Sequence, residues 1–403
     1  MSDRRTFLEN AAAAVVMTKI SSLRSFGFAT DGPEKIDPRV SDREKAGLRG
    51  PVKQYTEETI TPGVQGDPEM RFSQTTEYDP DGRILSTSRI STDGSKWVTT
   101  QTYDADGRMT KTISGNASEP GTETLYTYDE AERLLSITEG SKGGGSKTEF
   151  HYDEQGRKTT AQSFDPETLK QAQGSMYAGS PWDVAVGAGI GVPIGGNITT
   201  IYDGNDQPTE AQIRDSEGHI VSRIVRSYDA HGRIIEEKPI QENPAWLFAD
   251  RFSAEERAQL NDKQLEAMNT AMKSMFSGRS GAGISYTYDA QSRVTKIHDR
   301  NFAFDKVTTT SYNEQGDKSE ERTTLAGNST VPVGVAFSVD ENGTLIPDKR
   351  ATEPTELPEW LREQEIRYAY QYDSYGNWTQ QTVSLRSTPN ETSYDLYRKL
   401  TYY

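Results

Sequence analysis

Side chains that could hold a metal ion are scattered along the chain and complete no binding motif. None of the four histidines has a second histidine or a glutamate at zinc-ligand spacing. These histidines are His151, His219, His231 and His298. The stretches Asp79-x-Asp81-Gly82 and Asp104-x-Asp106-Gly107 resemble the start of a calcium loop, but both lack the later ligands, including the glutamate at the twelfth position. We therefore predict no metal site and assign these aspartates to turns.

Nucleophiles and phosphate-binding loops are equally incomplete. The chain has no cysteine, which excludes disulfides, thiolate metal sites and a cysteine nucleophile. No serine stands in a nucleophile-elbow motif. The Gly187-x-Gly189-x-Gly191 pattern lacks the Gly-Lys-Ser/Thr ending and a following helix, so its Gly-rich stretch is predicted to be a plug or cap over the sheet. Carboxylates are so abundant that any glycosidase pair could be picked at will. We predict no catalytic residue, no cofactor and no enzymatic activity.

Composition sets limits on the fold and on the partners. The length of 403 residues allows two to three domains. Hydrophobic residues make up only 33%, mean hydropathy is −0.80 and the formal net charge is −16. Such acidity repels phosphate, so no nucleic-acid partner is expected, and the lack of a run of about 20 apolar residues predicts no membrane span. The 20 tyrosines and 34 glycines nevertheless favour strands and turns over disorder.

A repeated phrase, Tyr-Asp-x-x-Gly-Arg, indicates which elements these are. It occurs nine times in a unit of about 25 residues; all nine copies keep Tyr followed by Asp or Asn, and Gly and Arg are each kept in six. The clearest repeat-defining residues are Tyr78, Asp79, Gly82, Arg83, Tyr103, Asp104, Gly107, Arg108, Tyr128, Asp129, Tyr152, Asp153, Gly156, Arg157, Tyr228, Asp229, Gly232, Arg233, Tyr288, Asp289, Tyr372, Asp373 and Gly376. Weaker copies begin at Tyr202 and Tyr312, and Asp215-Ser216-Glu217-Gly218 is a candidate decayed copy.

The phrase predicts a β-hairpin. Asp favours the first corner of a type I turn, and Gly three residues later can take the left-handed conformation that closes the loop with a bulge. In that geometry Asp faces Arg across the hairpin, and Tyr faces the residue after Arg. The predicted partners of the nine tyrosines, in chain order, are Ile84, Met109, Leu134, Lys158, Pro208, Ile234, Val294, Lys318 and Trp378.

Alternation of aromatic and polar residues extends this prediction to the whole strip. Counting back in twos from the repeat tyrosines gives Trp97, Tyr126, Phe150, Tyr286 and Tyr370, while the positions between are mostly polar. We therefore predict an all-β fold of repeated antiparallel hairpins, forming a long curled sheet or partial β-shell over residues 48–403.

Three insertions are predicted in the strip, at about 163–200, 240–283 and 326–365. The second is predicted to hold a helix over 253–277, which starts with a Ser253/Glu256 capping box and packs a methionine-rich stripe on the body. The third is predicted to be a loop with one helical turn.

The N-terminus has the pattern of an export signal. Arg4-Arg5 is followed by Phe7-Leu8 and a short apolar run, as in twin-arginine signals. We predict a signal over residues 1–29, a linker over 30–47, and a periplasmic or extracellular bacterial location. The alternative is a short amphipathic helix of a cytosolic protein.

The repeat resembles the YD repeat of the RHS and YD-repeat family, over roughly residues 48–403. The resemblance implies a long antiparallel strip of hairpins, which large members curl into a hollow shell around a C-terminal toxin. This chain departs from those members, because it shows neither their Asp-Pro-rich core segment nor a toxin domain. Toxin delivery is therefore not expected.

The leading functional hypothesis is a non-catalytic, exported surface for binding or structure, with carbohydrate or another protein as the ligand. One alternative is a hydrolase that acts on envelope glycans where an insertion meets the repeats. The other is a shell around a separately encoded partner, which a closed, hollow cross-section would favour.

Overall fold

A computed structural model describes residues 40–61, 70–116, 121–141, 144–164, 196–242, 283–300, 305–325, 337–339, 345–347, 362–387 and 390–403. These hold one short helix, α1 (Asp42–Lys45), and strands β1 to β22. The first strands are β1 (Val52–Thr61), β2 (Met70–Tyr78), β3 (Ile84–Ile90), β4 (Lys96–Tyr103), β5 (Met109–Asn116), β6 (Thr122–Tyr128), β7 (Leu134–Ser141), β8 (Gly144–Tyr152), β9 (Lys158–Phe164), β10 (Asn197–Tyr202) and β11 (Pro208–Arg214). The others are β12 (Ile220–Tyr228), β13 (Ile234–Gln241), β14 (Gly283–Tyr288), β15 (Val294–Arg300), β16 (Asp305–Tyr312), β17 (Lys318–Leu325), β18 (Phe337–Val339), β19 (Leu345–Pro347), β20 (Glu363–Tyr372), β21 (Trp378–Ser387) and β22 (Asn390–Tyr402).

Twenty of these strands form one antiparallel sheet that closes on itself. Each strand from β1 to β16 pairs with the next in the chain, and β17 then pairs with β20, β20 with β21, and β21 with β22. The circuit is completed by β22, which pairs with β1 over a register that includes Tyr55 and Leu400. The prediction of an all-β fold of antiparallel hairpins is confirmed. The sheet was predicted to be a long curled sheet or a partial β-shell, and the structure shows a closed one. A closed sheet leaves no strand edge unpaired, which removes the usual route to aggregation.

The face that carries the repeat tyrosines is the inner face of this closed sheet. Apart from residues at bulges, every fully buried strand residue lies on that face, as the strand register shows. Many of these residues are polar, such as Thr76, Thr160 and Thr200. The larger apolar side chains gather in groups, two of which flank the β22–β1 closure: Leu48, Val52, Tyr55 and Tyr78 in one, and Trp378, Val383 and Leu396 in the other. The core is thus thin and lies along the inner face, which accounts for the low hydrophobic share.

Residues 40–50 have more structure than the predicted linker over 30–47. Ser41 caps α1, since its hydroxyl accepts from the Glu44 N–H while the Glu44 carboxylate accepts from the Ser41 N–H. The Ser-x-x-Glu spacing was a signal in the sequence that the linker prediction overlooked.

The described parts of the three predicted insertions are small. Strand β9 continues to Phe164 and β10 starts at Asn197, so the strands reach slightly into the first predicted insertion. In the third, β18 and β19 form a separate two-stranded pairing that was not predicted. The predicted helix over 253–277, the Gly-rich pattern at 187–191 and the export signal over 1–29 lie outside the described residues. Within the described residues, no helix is long and apolar enough to cross a membrane.

Candidate functional site

All nine repeat turns lie at one end of the closed sheet, here called the tyrosine rim. Each turn connects an even-numbered strand to the next odd-numbered one, and antiparallel order brings these connections to the same end. In the first turn the Asp79 N–H donates to the Arg83 carbonyl at 2.9 Å, and the Gly82 N–H donates to the Asp79 carbonyl at 3.0 Å. The same two bonds recur in all nine copies. The predicted facing of Tyr and the residue after Arg is present in all nine hairpins.

In the six copies that keep the arginine, the aspartate binds the arginine of the same turn. One carboxylate oxygen accepts from the Arg backbone N–H, and the other accepts from the Arg Nε at 2.6–2.8 Å. These pairs are Asp79–Arg83, Asp104–Arg108, Asp129–Arg133, Asp153–Arg157, Asp229–Arg233 and Asp289–Arg293. Charge-assisted bonds of this kind fix the position of the guanidinium group. Each turn therefore presents its arginine in a defined place.

In five of these six copies, all but that of Arg157, the arginine covers the tyrosine of the next copy. Arg83, for example, lies 5.3 Å from the ring centre of Tyr103, and Arg133 lies 4.4 Å from that of Tyr152. The same contact joins Arg108 to Tyr128, Arg233 to Tyr288, and Arg293 to Tyr312. A guanidinium over an aromatic ring is an attractive cation–π arrangement. This contact therefore joins the Arg of one hairpin to the Tyr of the next.

A hydrogen bond ties the same two hairpins together. The Tyr128 hydroxyl donates to the Met109 carbonyl at 2.7 Å, where Met109 is the residue after the previous Arg. Equivalent bonds of 2.6–3.0 Å are made by Tyr103, Tyr152, Tyr228, Tyr288 and Tyr312. Sequence reasoning predicted the cross-strand partner of each tyrosine but missed this link between copies. The spacing of 19 or 20 residues to the next Tyr, which follows Arg83, Arg108, Arg133 and Arg293, was the signal that could have revealed it.

Electrostatics at the rim follow from these contacts. Burial alone would raise the pKa of Asp229, but hydrogen bonds from the Arg233 side chain and backbone outweigh it and lower the pKa to about 2. Burial raises the pKa of the Tyr228 hydroxyl to about 12. Asp229 is therefore charged and Tyr228 neutral at physiological pH, as their bonding requires. Among the described residues, no group of three or more acidic or histidine side chains is placed to hold a metal ion.

The candidate decayed copy keeps the turn but occupies the opposite end of the sheet. The Asp215 N–H donates to the His219 carbonyl at 3.0 Å, and the Gly218 N–H donates to the Asp215 carbonyl at 3.1 Å. This turn connects β11 to β12, so antiparallel order places it away from the tyrosine rim. It shares the turn chemistry of the repeat without the Tyr–Arg contact.

At the closure, a residue from outside the repeat bonds to the last two turns, which have no arginine of their own. Asp317 and Asn377 occupy the Arg positions of the last two copies, and Tyr372 donates to Asp317 at 2.8 Å. The Arg49 guanidinium donates to the carbonyls of Gly376 at 2.9 Å and Gln315 at 2.8 Å. The Arg49 backbone also exchanges two hydrogen bonds with the Asn377 amide. Arg49 therefore joins the last two turns at the rim.

The inner face also carries two aromatic side chains that stay accessible. Trp97 is 47% exposed and Phe72 is 41% exposed, and both lie on the face of the repeat tyrosines toward the far ends of their strands. Directly across from Trp97 in the register are Arg89 on one side and Asn116 on the other. The Arg89 Nε donates to Gln74 at 2.9 Å. Aromatic rings beside planar polar groups make an amphipathic surface.

Comparison with known proteins supports the repeat. Residues 51–165 match the family model described as Teneurin YD-shell, a YD-repeat family, which confirms the YD-repeat prediction. Among solved structures, a porin-like protein from Bacteroides uniformis is similar over 88% of this chain and 99% of that chain, with 10% sequence identity and a TM-score of 0.32. Comparison with curated proteins gives no match.

Proposed function

We propose, from the YD-shell match and the closed sheet, that this chain is a non-catalytic structural β-shell that binds carbohydrate on its inner face. The observation that carries the proposal is the exposure of Trp97 and Phe72, at 47% and 41%, on a face whose other described large apolar side chains are less exposed. Leaving large aromatic rings accessible is unfavourable in water, and such rings are common where a protein binds a partner.

The surroundings of these two rings favour a sugar as ligand. Trp97 on β4 and Phe72 on β2 are separated by one strand, which corresponds to about 10 Å across the sheet. Arg89 and Gln74, on the intervening and neighbouring strands, supply hydrogen-bonding groups between the rings. Sugars present both apolar faces, which stack on aromatic rings, and hydroxyls, which hydrogen-bond to planar polar groups.

The use of the titratable groups supports a non-catalytic role. In six copies the Asp carboxylate is bonded to Arg of its own turn, and the tyrosine hydroxyls donate to backbone carbonyls. Groups that are held in structural bonds are poorly placed to exchange protons with a substrate. The repeat is therefore proposed to build the shell rather than to perform chemistry.

Closure of the sheet favours a second candidate, a shell around a separately encoded polypeptide. Twenty strands spaced about 4.8 Å apart give a circumference of at least about 100 Å, hence a radius of at least about 15 Å measured to the backbone, and strand tilt makes both larger. The export motif at Arg4-Arg5 supports a location in the periplasm or outside the cell for either candidate.

The test is a glycan array together with affinity capture, both with the full chain. We expect selective glycan binding that Trp97→Ala removes, because this variant deletes the more exposed ring. The matched control is Tyr397→Ala, which removes an aromatic ring of 38% exposure from the outer face and should leave binding unchanged. Glycan binding that survives Trp97→Ala would contradict the inner-face site. Capture of one polypeptide without glycan binding would favour the second candidate, and turnover of a model glycoside would contradict the non-catalytic proposal.

A further inference from the structure

The contact between successive copies changes at one place on the tyrosine rim. Between the copies that begin at Tyr152 and Tyr202, the cation over the second tyrosine is Lys158 rather than Arg157. The Lys158 Nζ lies 4.2 Å from the ring centre of Tyr202 and pairs with Asp206 at 2.8 Å. Lys158 stands at the position that Ile84, Met109 and their equivalents occupy in other copies. Arg157 is therefore not needed to cover the next tyrosine.

The side chain of Arg157 is correspondingly open. It is 58% exposed, against 25–47% for the five repeat arginines that lie over a tyrosine. Its Nε donates to Asp153 at 2.6 Å, as in the other copies. Within the described residues, its terminal nitrogens make one further hydrogen bond, of 3.5 Å, to the Gln155 side chain. The fork of the guanidinium thus faces solvent while its position is fixed by Asp153.

A groove lies directly beside this guanidinium. Its volume is about 440 Å³, and its lining includes His151, Arg157, Lys158, Thr159, Ile201 and Tyr202. The lining therefore combines three basic residues with one hydroxyl residue and two residues that have apolar surfaces. Asp153 also lines it, but its carboxylate is bonded to the Arg157 backbone and Nε. The size suits a small molecule, since ligand sites are commonly of a few hundred cubic ångströms.

We propose that this groove binds a small molecule carrying a carboxylate or phosphate group, and that Arg157 is the anchor for that group. A guanidinium presents two parallel N–H donors that match the oxygens of a carboxylate or phosphate. Pre-positioning of Arg157 by Asp153 lowers the conformational entropy lost on binding. Lys158 adds positive charge on the adjoining wall, and Ile201 and Thr159 offer contact to the body of the ligand. This site is distinct from the proposed glycan surface at Trp97, which lies toward the other ends of the strands.

The test is titration of the full chain with inorganic phosphate, acetate and glucuronate, followed by calorimetry and by NMR shifts of arginine side-chain N–H groups. We expect saturable binding of at least one anion and a loss of at least tenfold in affinity for Arg157→Gln. The matched control is Arg108→Gln, which removes the same Asp-bonded arginine from a copy where it covers Tyr128, away from the groove. That variant should lose stability but keep anion binding.

Two further variants keep the outcome decisive. Arg157→Lys keeps the positive charge beside Asp153 but lacks the paired N–H donors of the guanidinium, so it should bind the anion several-fold more weakly. This variant decides the case if Arg157→Gln fails to fold. Trp97→Ala should bind the anion normally, so failure of this proposal is distinguishable from failure of the glycan proposal. Absence of saturable binding for all three anions, or equal affinity of the Arg157 variants and the unaltered chain, would overturn the proposal.

Discussion

The left-handed position of each repeat turn is where a single residue type matters most. The six glycines there have positive φ, for example 82° at Gly107. In the three copies without glycine, Glu132, Asp206 and Ser292 take the same conformation, with φ of 64°, 60° and 63°. A side chain in this region costs about 1–2 kcal/mol. The turn geometry therefore prevails over the preference of the residue, because the flanking strands fix both ends of the loop.

Ser292→Gly is expected to stabilise the protein by about 0.5–1 kcal/mol, since relief of the left-handed strain exceeds the added entropy of the unfolded chain. The measurement is the urea midpoint for unfolding. The opposite change, Gly107→Ala, serves as the control. Its new Cβ would clash with the Arg83 Nη1, at a φ of +82°, so it should destabilise by more than 1 kcal/mol. A Ser292→Gly variant less stable than the unaltered chain would contradict the strain argument.

Acid should weaken the rim through its aspartates. The pKa of Asp229 is about 2 in the folded chain, against an ordinary value of 3.8. A group with a lowered folded pKa contributes stability that is present above its unfolded pKa and is lost as the pH falls through the folded one. The melting temperature should therefore fall between about pH 4 and about pH 2. Asp229→Asn should be less stable at pH 7 by about 1–2 kcal/mol and show a shallower decline in acid. An equally steep decline in the variant would assign the acid effect to other carboxylates.

Between elements, the connection of one hairpin to the next rests on more than the backbone ladder. Arg108 reaches forward to the ring of Tyr128, and the Tyr128 hydroxyl reaches back to the Met109 carbonyl. Five junctions, those that end at Tyr103, Tyr128, Tyr152, Tyr288 and Tyr312, thus have one cation–π contact and one side-chain hydrogen bond at the rim. Because these contacts recur along the sheet, we call them the rim strap: a row of side-chain contacts that joins strands which otherwise pair only with their neighbours.

Tyr128→Phe isolates the hydrogen bond of this strap. It keeps the ring under Arg108 and deletes the hydroxyl, leaving the Met109 carbonyl without this donor, so we expect a loss of about 1 kcal/mol. The measurement is again the urea midpoint. Tyr397→Phe is the matched control, because that tyrosine lies on the outer face with a longer contact of 3.4 Å to Asp395. Equal losses of stability in the two variants would show that the hydrogen bond at the rim stabilises the protein no more than the outer-face contact does.

For the whole molecule, closure depends on the meeting of the two ends of the described chain. Strand β22 pairs with β1 along eight positions, and Tyr403 donates to the Tyr78 carbonyl at 2.5 Å. The segment before β1 adds a second connection, because Arg49 bonds to the turns at Gln315 and Gly376. α1 continues it, since the Arg43 N–H donates to the Gly82 carbonyl. The segment 41–51 therefore bridges the first and last repeats across the closure.

Arg49→Ala is expected to loosen this closure without unfolding the sheet. Amide hydrogen exchange in β1 and β22 should become at least several-fold faster, while β5 to β8 keep their protection. Arg71→Ala is the control, as it removes an arginine from an exposed ion pair with Glu58 between β1 and β2, and such pairs contribute about 0–1 kcal/mol. Uniformly faster exchange in all strands of Arg49→Ala would instead indicate global destabilisation.

The sequence by itself determined the hairpins, the turn geometry, the facing of each Tyr with the residue after Arg, and the separation of an aromatic face from a polar one. These features are local, because turn chemistry and a two-residue period act over a single repeat. Only the tertiary structure decided that β22 meets β1, that Arg49 joins the last two turns, and that Lys158 rather than Arg157 lies over Tyr202. Each of these depends on residues distant in sequence, whose approach follows from the summed twist and curvature of twenty strands rather than from any one repeat.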